Sequence, residues 1–357
     1  MLPSSGTMTK HMISLAAALA FSSPIAAQEE GETPPPSPNE IVAKAGADEW
    51  TAIAPQDLLV MTLAPDAQGN PRQVVIQLMP APFSEKWTAN IRTFARSGWF
   101  DNITVNRVQD NYVVQWGDAN YDNPESDGPP KALPEGLVPT DEADYSIPAD
   151  LIGLPRLLAD SERSRALATD EPIVTADATT GIILANGLAD PYAQLSLPYR
   201  GWPIASNYGE DDNEAAAEVW PVHCYGMVGV GRNLTPDAGT GAELYTVIGH
   251  APRHLDRNIA LVGRIVEGIE HLSSLPRGKG ALGFYEDETM RTPILTVRVA
   301  SDLDEGERPA FEYLDTEGET FARYAEARGN RRDPFFNVPA GGADICNIPV
   351  PVRRVAE

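Results

Sequence analysis

An arginine and a glutamine flanking a short apolar run are the residues of this chain best suited to chemistry. Val105 to Asp118 reads VNRVQDNYVVQWGD, which sets Arg107 and Gln115 on either side of Tyr112-Val113-Val114. That run is too apolar for a solvated loop, and its aromatic and β-branched residues favour a strand. A permanent cation and an amide beside an apolar wall could hold a neutral, proline-like ligand and polarise its amide. Spacing alone leaves blander readings open. Arg107 also suits an ion pair with one of the chain's many carboxylates, Gln115 a surface amide, and Tyr112 and Val113 the core.

Other constellations carry less. His250 and His254 have the spacing of metal ligands on one helix face, but Pro252 between them would break that helix. Gly226, Gly229 and Gly231 do not follow the G-x-G-x-x-G order of a dinucleotide loop. His223 and Cys224, adjacent in a strand-like segment, would point to opposite faces, against a thiolate–imidazole pair. No metal or cofactor is therefore expected.

The elements that must position Arg107 and Gln115 read mostly as strands. Asp57–Leu63 and Arg72–Leu78, separated by the turn residues of Asp66–Pro71, predict a hairpin. Ser84–Arg96 places Trp87, Ile91, Phe94 and Ala95 at helical spacing, with Ser84 as N-cap and Gly98 as stop. Strand-like sequence resumes at Val222–Val230, Glu243–Ile248, Ile259–Val262 and Ile294–Ala300, with a helical Glu267–Leu272 between the last two. Thr316-x-x-Glu319 has the form of a capping box before a helix over Thr320–Ala327. Many short strands, two helices and no parallel βαβ unit predict a mostly β fold, a closed antiparallel barrel with helices over its ends.

The segment Ala119–Val222 breaks this pattern and is rich in Pro, Asp, Glu and Gly. A structureless loop of that length would be unusual, so a folded insertion with one or two short helices is expected, Leu151–Leu158 and Thr180–Ala185 being its ordered pieces. At the N-terminus, Lys10 precedes the apolar run Met12–Phe21 and then the small residues Ala26-Ala27. This is the form of a signal peptide over residues 1–27, too short to span a bilayer, with Gln28 starting the mature chain. Residues 28–39 read as a disordered, acidic, Pro-rich linker. The expected destination is export, to a periplasm or the exterior. A net charge of −24 argues against nucleic acid and anionic membrane as partners. Cys224 and Cys346 could form a disulfide or remain two free thiols.

Several of these pieces together resemble the cyclophilin-type peptidyl-prolyl cis-trans isomerases. Val74–Leu78, Ala81-Pro82, Ala95–Asp101 and Asn106–Asp118 look like the first half of that family. Met227–Val230, Gly241–Tyr245, His254–Asp256 and Val262–Gly268 look like the second. The resemblance implies a cyclophilin-like barrel over 40–300, interrupted by the insertion 119–222, and leaves 301–357 as a C-terminal extension with a helix. It implies that Arg107 is the catalytic arginine and Gln115 the substrate-binding glutamine. Tyr112, Val113, Tyr245 and Leu255 match the pocket that receives the proline of a polypeptide substrate. Departures fall on the same pocket: Asn106 replaces a histidine, Glu243 a glutamine, His254 an aromatic, Ile259 a histidine, and Val228-Gly229 an alanine-asparagine pair that binds substrate backbone. Glu243 could also pair with Arg107 and suppress it. The reading is a prolyl isomerase acting on exported clients; the rival is a catalytically weak binding module on the same fold.

Overall fold

A computed structural model of the protein describes residues 34–120, 128–154, 190–208 and 217–355. The expected signal segment, residues 28–33 of the linker and the run Thr180–Ala185 lie outside these, as does Leu151–Leu158 beyond its first four residues. The first strands are β1 (Trp50–Ala52), β2 (Leu58–Leu63), β3 (Arg72–Leu78), β4 (Ile103–Val108) and β5 (Val113–Gly117). Then come β6 (Ile147–Pro148), β7 (Leu195–Tyr199), β8 (Trp202–Ser206), β9 (Glu218–Pro221) and β10 (Met227–Val230). The last are β11 (Leu244–Val247), β12 (Leu261–Glu267), β13 (Thr292–Val299), β14 (Phe311–Leu314) and β15 (Val352–Arg354). Four helices join them among the described residues: α1 (Pro38–Ala43), α2 (Glu85–Arg96), α3 (Glu270–Ser273) and α4 (Glu319–Gly329).

Eight strands close a barrel in the order β10-β11-β5-β4-β13-β2-β3-β12, every pairing antiparallel. The predicted hairpin is β2–β3, with the Asp66 carboxylate accepting from the Gln68 and Asn70 amides in its turn. Leu59, Met61 and Leu63 fill the barrel interior while Leu58 and Val60 bury against Phe311 of the C-terminal segment. Both faces of β2 are thus covered, and its sequence LLVMTL has no polar alternation. Each such side chain, fully buried, stabilises the fold by about 1.5–3 kcal/mol.

α2 buries Trp87, Ile91, Phe94 and Ala95, as its spacing predicts. Its C-terminus is a Schellman motif. Gly98 at φ 67° donates to Ala95, Trp99 donates to Phe94, and the Phe94 and Trp99 rings pack 4.9 Å apart. Ser84 is the N-cap by position, but it sits in the left-handed region and its hydroxyl donates to the Leu261 carbonyl at 2.7 Å instead of to the helix's first amides. α3 is a single turn, and Glu267, placed in that helix from the sequence, is the last residue of β12.

Two additions cover the outside of the barrel. Within the described part of the insertion, β6-β9-β8-β7 form a four-stranded sheet, joined by 3-10 turns at Glu142–Tyr145 and Ala149–Ile152. Its residues Ile204, Val219 and Trp220 join Met79, Phe83, Met227 and Leu261 of the barrel in one buried apolar cluster. Of the strand read across Val222–Val230 only Met227–Val230, β10, is a strand; β9 ends at Pro221 and a turn lies between them. That turn carries Cys224, disulfide-bonded to Cys346.

The second addition is the sheet β1-β14-β15, beside which α1 and α4 pack through Ile41, Phe321 and Tyr324. α1 starts at Pro38 with Ser37 and Glu40 as a capping box, so the helix begins inside the stretch read as linker. The Thr316 capping box is not formed. Gly318 is the N-cap of α4, Glu49 accepts from the Thr320 amide, and the buried Thr316 hydroxyl accepts from the Gly201 amide. No described helix is long and apolar enough to cross a membrane.

Candidate active site

Strand register assembles the site. Arg107 on β4 lies opposite Gln115 on β5, Gln115 opposite Tyr245 on β11, and Tyr245 opposite Gly229 on β10. Directly opposed residues of antiparallel strands share a face, so one row across four strands carries all four to the outside of the barrel. The register shift between Val105 and Arg107 turns β4 at this point, and the buried Asn106 amide donates to the Gly117 carbonyl at 3.3 Å. Gly229 is required where it stands: a Cβ there would collide with the Tyr245 hydroxyl. Val228, one residue over, faces the barrel interior and packs in the main core. Its expected role beside a substrate is therefore corrected to a core role, because neighbours on a strand take opposite faces.

Arg107 heads a cavity of about 350 Å³ that also takes in Tyr112, Val113, Gln115, Glu243, Tyr245 and Leu255. Val113, Tyr245 and Val247, with Tyr112, Leu255 and Ile259 against them, form a separate apolar cluster that floors it. His254 is exposed and outside the cavity lining, its ring stacked on Tyr112 at 6.2 Å.

The guanidinium is held by neutral acceptors. Nη1 donates to Gln115 Oε1 at 3.1 Å, Nε to the Leu282 carbonyl at 2.7 Å, and Nη2 to Gln109 Oε1. It lies 5.7 Å from the Tyr112 ring and 5.7 Å from the Phe284 ring. Burial lowers its pKa, a pull that Tyr112 and Tyr245 oppose, yet an arginine starts far enough from neutrality to stay charged. Glu243 does not pair with it directly. Gln115 Nε2 donates to Glu243 Oε2 at 3.4 Å, so the amide bridges carboxylate and guanidinium.

A buried polar chain lies behind the floor. The Tyr245 hydroxyl bonds His223 Nε2 at 2.9 Å, and His223 Nδ1 bonds Asp256 Oδ1 at 2.9 Å. A carboxylate accepts only, so Nδ1 is the donor to Asp256. Arg253 Nε donates to Asp256 at 2.6 Å and its Nη2 to Asp190 at 2.7 Å, tying the chain to the insertion. Burial pushes the Tyr245 hydroxyl well above the usual tyrosine range. Burial alone would lower Arg253, but Asp256 and Asp190 together raise it.

Sequence reasoning missed four participants. Gln109 lies inside the informative stretch, but a turn glutamine has no signature of its own. Leu282 and Phe284 come from the loop 278–284, whose contact with Arg107 is an isolated bridge from Phe284 across 177 residues of sequence, invisible to periodicity. His223, weighed only as a partner of Cys224, braces Tyr245 instead. Among the described residues no group of three or more His, Cys, Asp or Glu is placed to hold a metal ion.

The family model for cyclophilin type peptidyl-prolyl cis-trans isomerases matches residues 68–299. The chain belongs to that family, and the barrel with its Arg107–Gln115 row is its isomerase domain. A cyclophilin from Hirschia baltica is similar in fold, with a TM-score of 0.56 at 20% identity over 88% of this chain and 96% of that one. A Cryptosporidium parvum cyclophilin type peptidyl-prolyl cis-trans isomerase, solved in the presence of the dipeptide Ala-Pro, aligns at a TM-score of 0.32 and 11% identity. That alignment covers 67% of this chain and 98% of the other. No curated protein matches the sequence.

Proposed function

We propose that the chain accelerates cis-trans isomerisation of X-Pro bonds in exported polypeptides, with Arg107 as the catalytic residue. The barrier to rotation, about 18–20 kcal/mol, arises because the amide nitrogen lone pair is delocalised into the carbonyl. A donor aimed at the prolyl nitrogen localises that pair and lowers the barrier, with no nucleophile or proton transfer. Arg107 uses three of its five N–H groups on Gln115, Gln109 and Leu282, which leaves two for substrate. The proline ring sits on the Val113–Tyr245 floor, and Gln115 and the Gly229 strand meet substrate backbone. The observation that carries this reading is the neutrality of Arg107's partners among the described residues. Its full charge remains available above an apolar floor.

Export is supported by the signal-like N-terminus and by the Cys224–Cys346 disulfide, which persists in oxidising compartments. N-terminal sequencing of fractionated cells should find the chain beginning at Gln28 in the exported fraction. A chain beginning at Met1 in the cytosol would reject export.

A protease-coupled assay on a short proline peptide tests the chemistry. Wild type should exceed the uncatalysed rate, and Arg107→Ala should lose about 100-fold or more in kcat. Full activity in a folded Arg107→Ala protein would overturn the assignment. A second reading, binding without turnover, is favoured by Glu243 engaging Gln115 Nε2, the donor a substrate carbonyl would use. Peptide binding by folded wild type with no rate acceleration would select it.

A further inference from the structure

Another cation lines a cavity of its own beside the prolyl site. Arg257 is exposed, and its guanidinium carbon lies 4.3 Å from the centre of the Trp220 ring. Both residues border a cavity of about 200 Å³, with Tyr192, Gln194 and Asn207 of the insertion also in its lining. Among the described residues the Arg257 side chain has no hydrogen bond and no ion pair. The one carboxylate of the lining, Asp190, is already engaged. It accepts from Arg253 at 2.7 Å, from the Ser196 hydroxyl at 2.9 Å and from the Tyr192 amide at 2.9 Å.

A single turn separates this cavity from the one headed by Arg107. Leu255 and Ile259 line the prolyl cavity, and Arg257, midway between them, lines the other. The Ile259 and Asn258 amides both donate to the Leu255 carbonyl, at 3.2 and 2.9 Å, which closes the turn. Arg257 sits in it at φ 62°, a conformation that non-glycine residues rarely adopt. Two trans peptide units span at most about 7.6 Å, so the Arg257 Cα is no farther than that from the Cα of either pocket residue.

We propose, building on the isomerase reading above, that Arg257 is a specificity-determining residue that binds an acidic side chain of the polypeptide substrate. An extended polypeptide advances about 3.3–3.6 Å per residue, which puts that side chain about two to four positions from the proline. A guanidinium stacked on an indole keeps its edge N–H groups for a planar acceptor, and a carboxylate fits that fork with two parallel bonds. Elsewhere a substrate carboxylate meets the repulsion of a chain carrying a net charge of −24. The preference therefore belongs to one position of the substrate and not to its overall charge.

Single-proline peptides carrying Glu or Gln at one position, scanned over both sides of the proline, test this with the chain from Gln28. Kd is read by fluorescence anisotropy and turnover by the protease-coupled assay. At one position Glu should bind wild type about 3- to 10-fold more tightly than Gln, with KM lowered and kcat unchanged. Arg257→Gln should erase that preference, and Arg257→Glu should reverse it in favour of a Lys peptide at the same position. Arg107→Ala should lose turnover but keep the Glu preference in Kd. The proposal would be overturned by equal affinities at every position, by a preference that survives Arg257→Gln, or by an Arg257→Glu chain that does not favour Lys. Absence of turnover on every peptide would reject the isomerase reading alone, because the Kd comparison decides the part played by Arg257.

Discussion

Arg107 is useful only while its neighbours hold it, so the sharpest predictions at the residue scale concern those neighbours. Gln115→Ala removes the Nη1 acceptor and the bridge to Glu243. A hydrogen bond to a charged group is worth about 1.5–3 kcal/mol, so kcat/KM should fall about 10- to 100-fold with the fold intact. An unchanged kcat/KM would mean Gln115 neither positions the arginine nor meets substrate. Tyr245→Phe makes a different cut. The ring that floors the pocket stays, but His223 Nε2 loses its hydroxyl partner in a dry site. Urea denaturation should show a loss of about 1–3 kcal/mol with near-normal turnover, and equal stability would mean another donor takes the place. Arg107, Gln115 and the apolar floor were legible because they lie close in sequence or match a known pattern. The brace behind Tyr245 was not, since His223, Asp256 and Arg253 meet only once the barrel closes.

Local chemistry marks elements well where one helix turn or one hairpin contains its own reasons. The stop of α2 is such a case: Gly98 at φ 67° closes the Schellman motif, and Trp99 returns to pack on Phe94. Gly98→Ala forces a Cβ into the left-handed region and should cost about 1 kcal/mol, read as a lower urea midpoint with the same m-value. No change in midpoint would mean the turn relaxes freely. The side-chain capping bonds that did not form are absent for a tertiary reason. Ser84 and Thr316 spend their hydroxyls on Leu261 and Gly201, both distant in sequence, while Glu49 serves α4 from across the small sheet. The sheet within the insertion was not legible for a related reason. Its strands are short, carry prolines at positions 198 and 203, and gain their order from the barrel face they cover.

At the scale of the whole molecule the barrel is stabilised by what lies outside it, and two conditions should expose this. The first is alkaline pH. Tyr145 and Tyr285, raised to about 12 by burial, stay protonated in the folded chain while their unfolded counterparts ionise near 10. Between those values the unfolded state binds fewer protons, so stability is full below pH 10 and falls as pH rises toward 12. Arg264, lowered to about 10, works in the opposite sense over that window and offsets part of the loss. A spectrophotometric titration should therefore show tyrosines ionising together with unfolding, well above the ordinary midpoint; complete ionisation near pH 10 with the fold intact would contradict it. The second condition is loss of the Cys224–Cys346 bond, which closes a separation of 122 residues. Loop-closure entropy for such a span is about 4–5 kcal/mol, so a Cys224→Ser/Cys346→Ser chain should unfold at a markedly lower urea concentration. Cys224 is the chain neighbour of His223, whose backbone amide donates to Asp256 at 3.0 Å, and Asp344 lies 3.7 Å from Arg253. Freeing the bond thus loosens the brace under Tyr245 from both ends. The double variant should lose kcat/KM as well as stability at temperatures where it remains folded. A variant that lost stability alone would show that the pocket floor is held by the barrel strands without the tail.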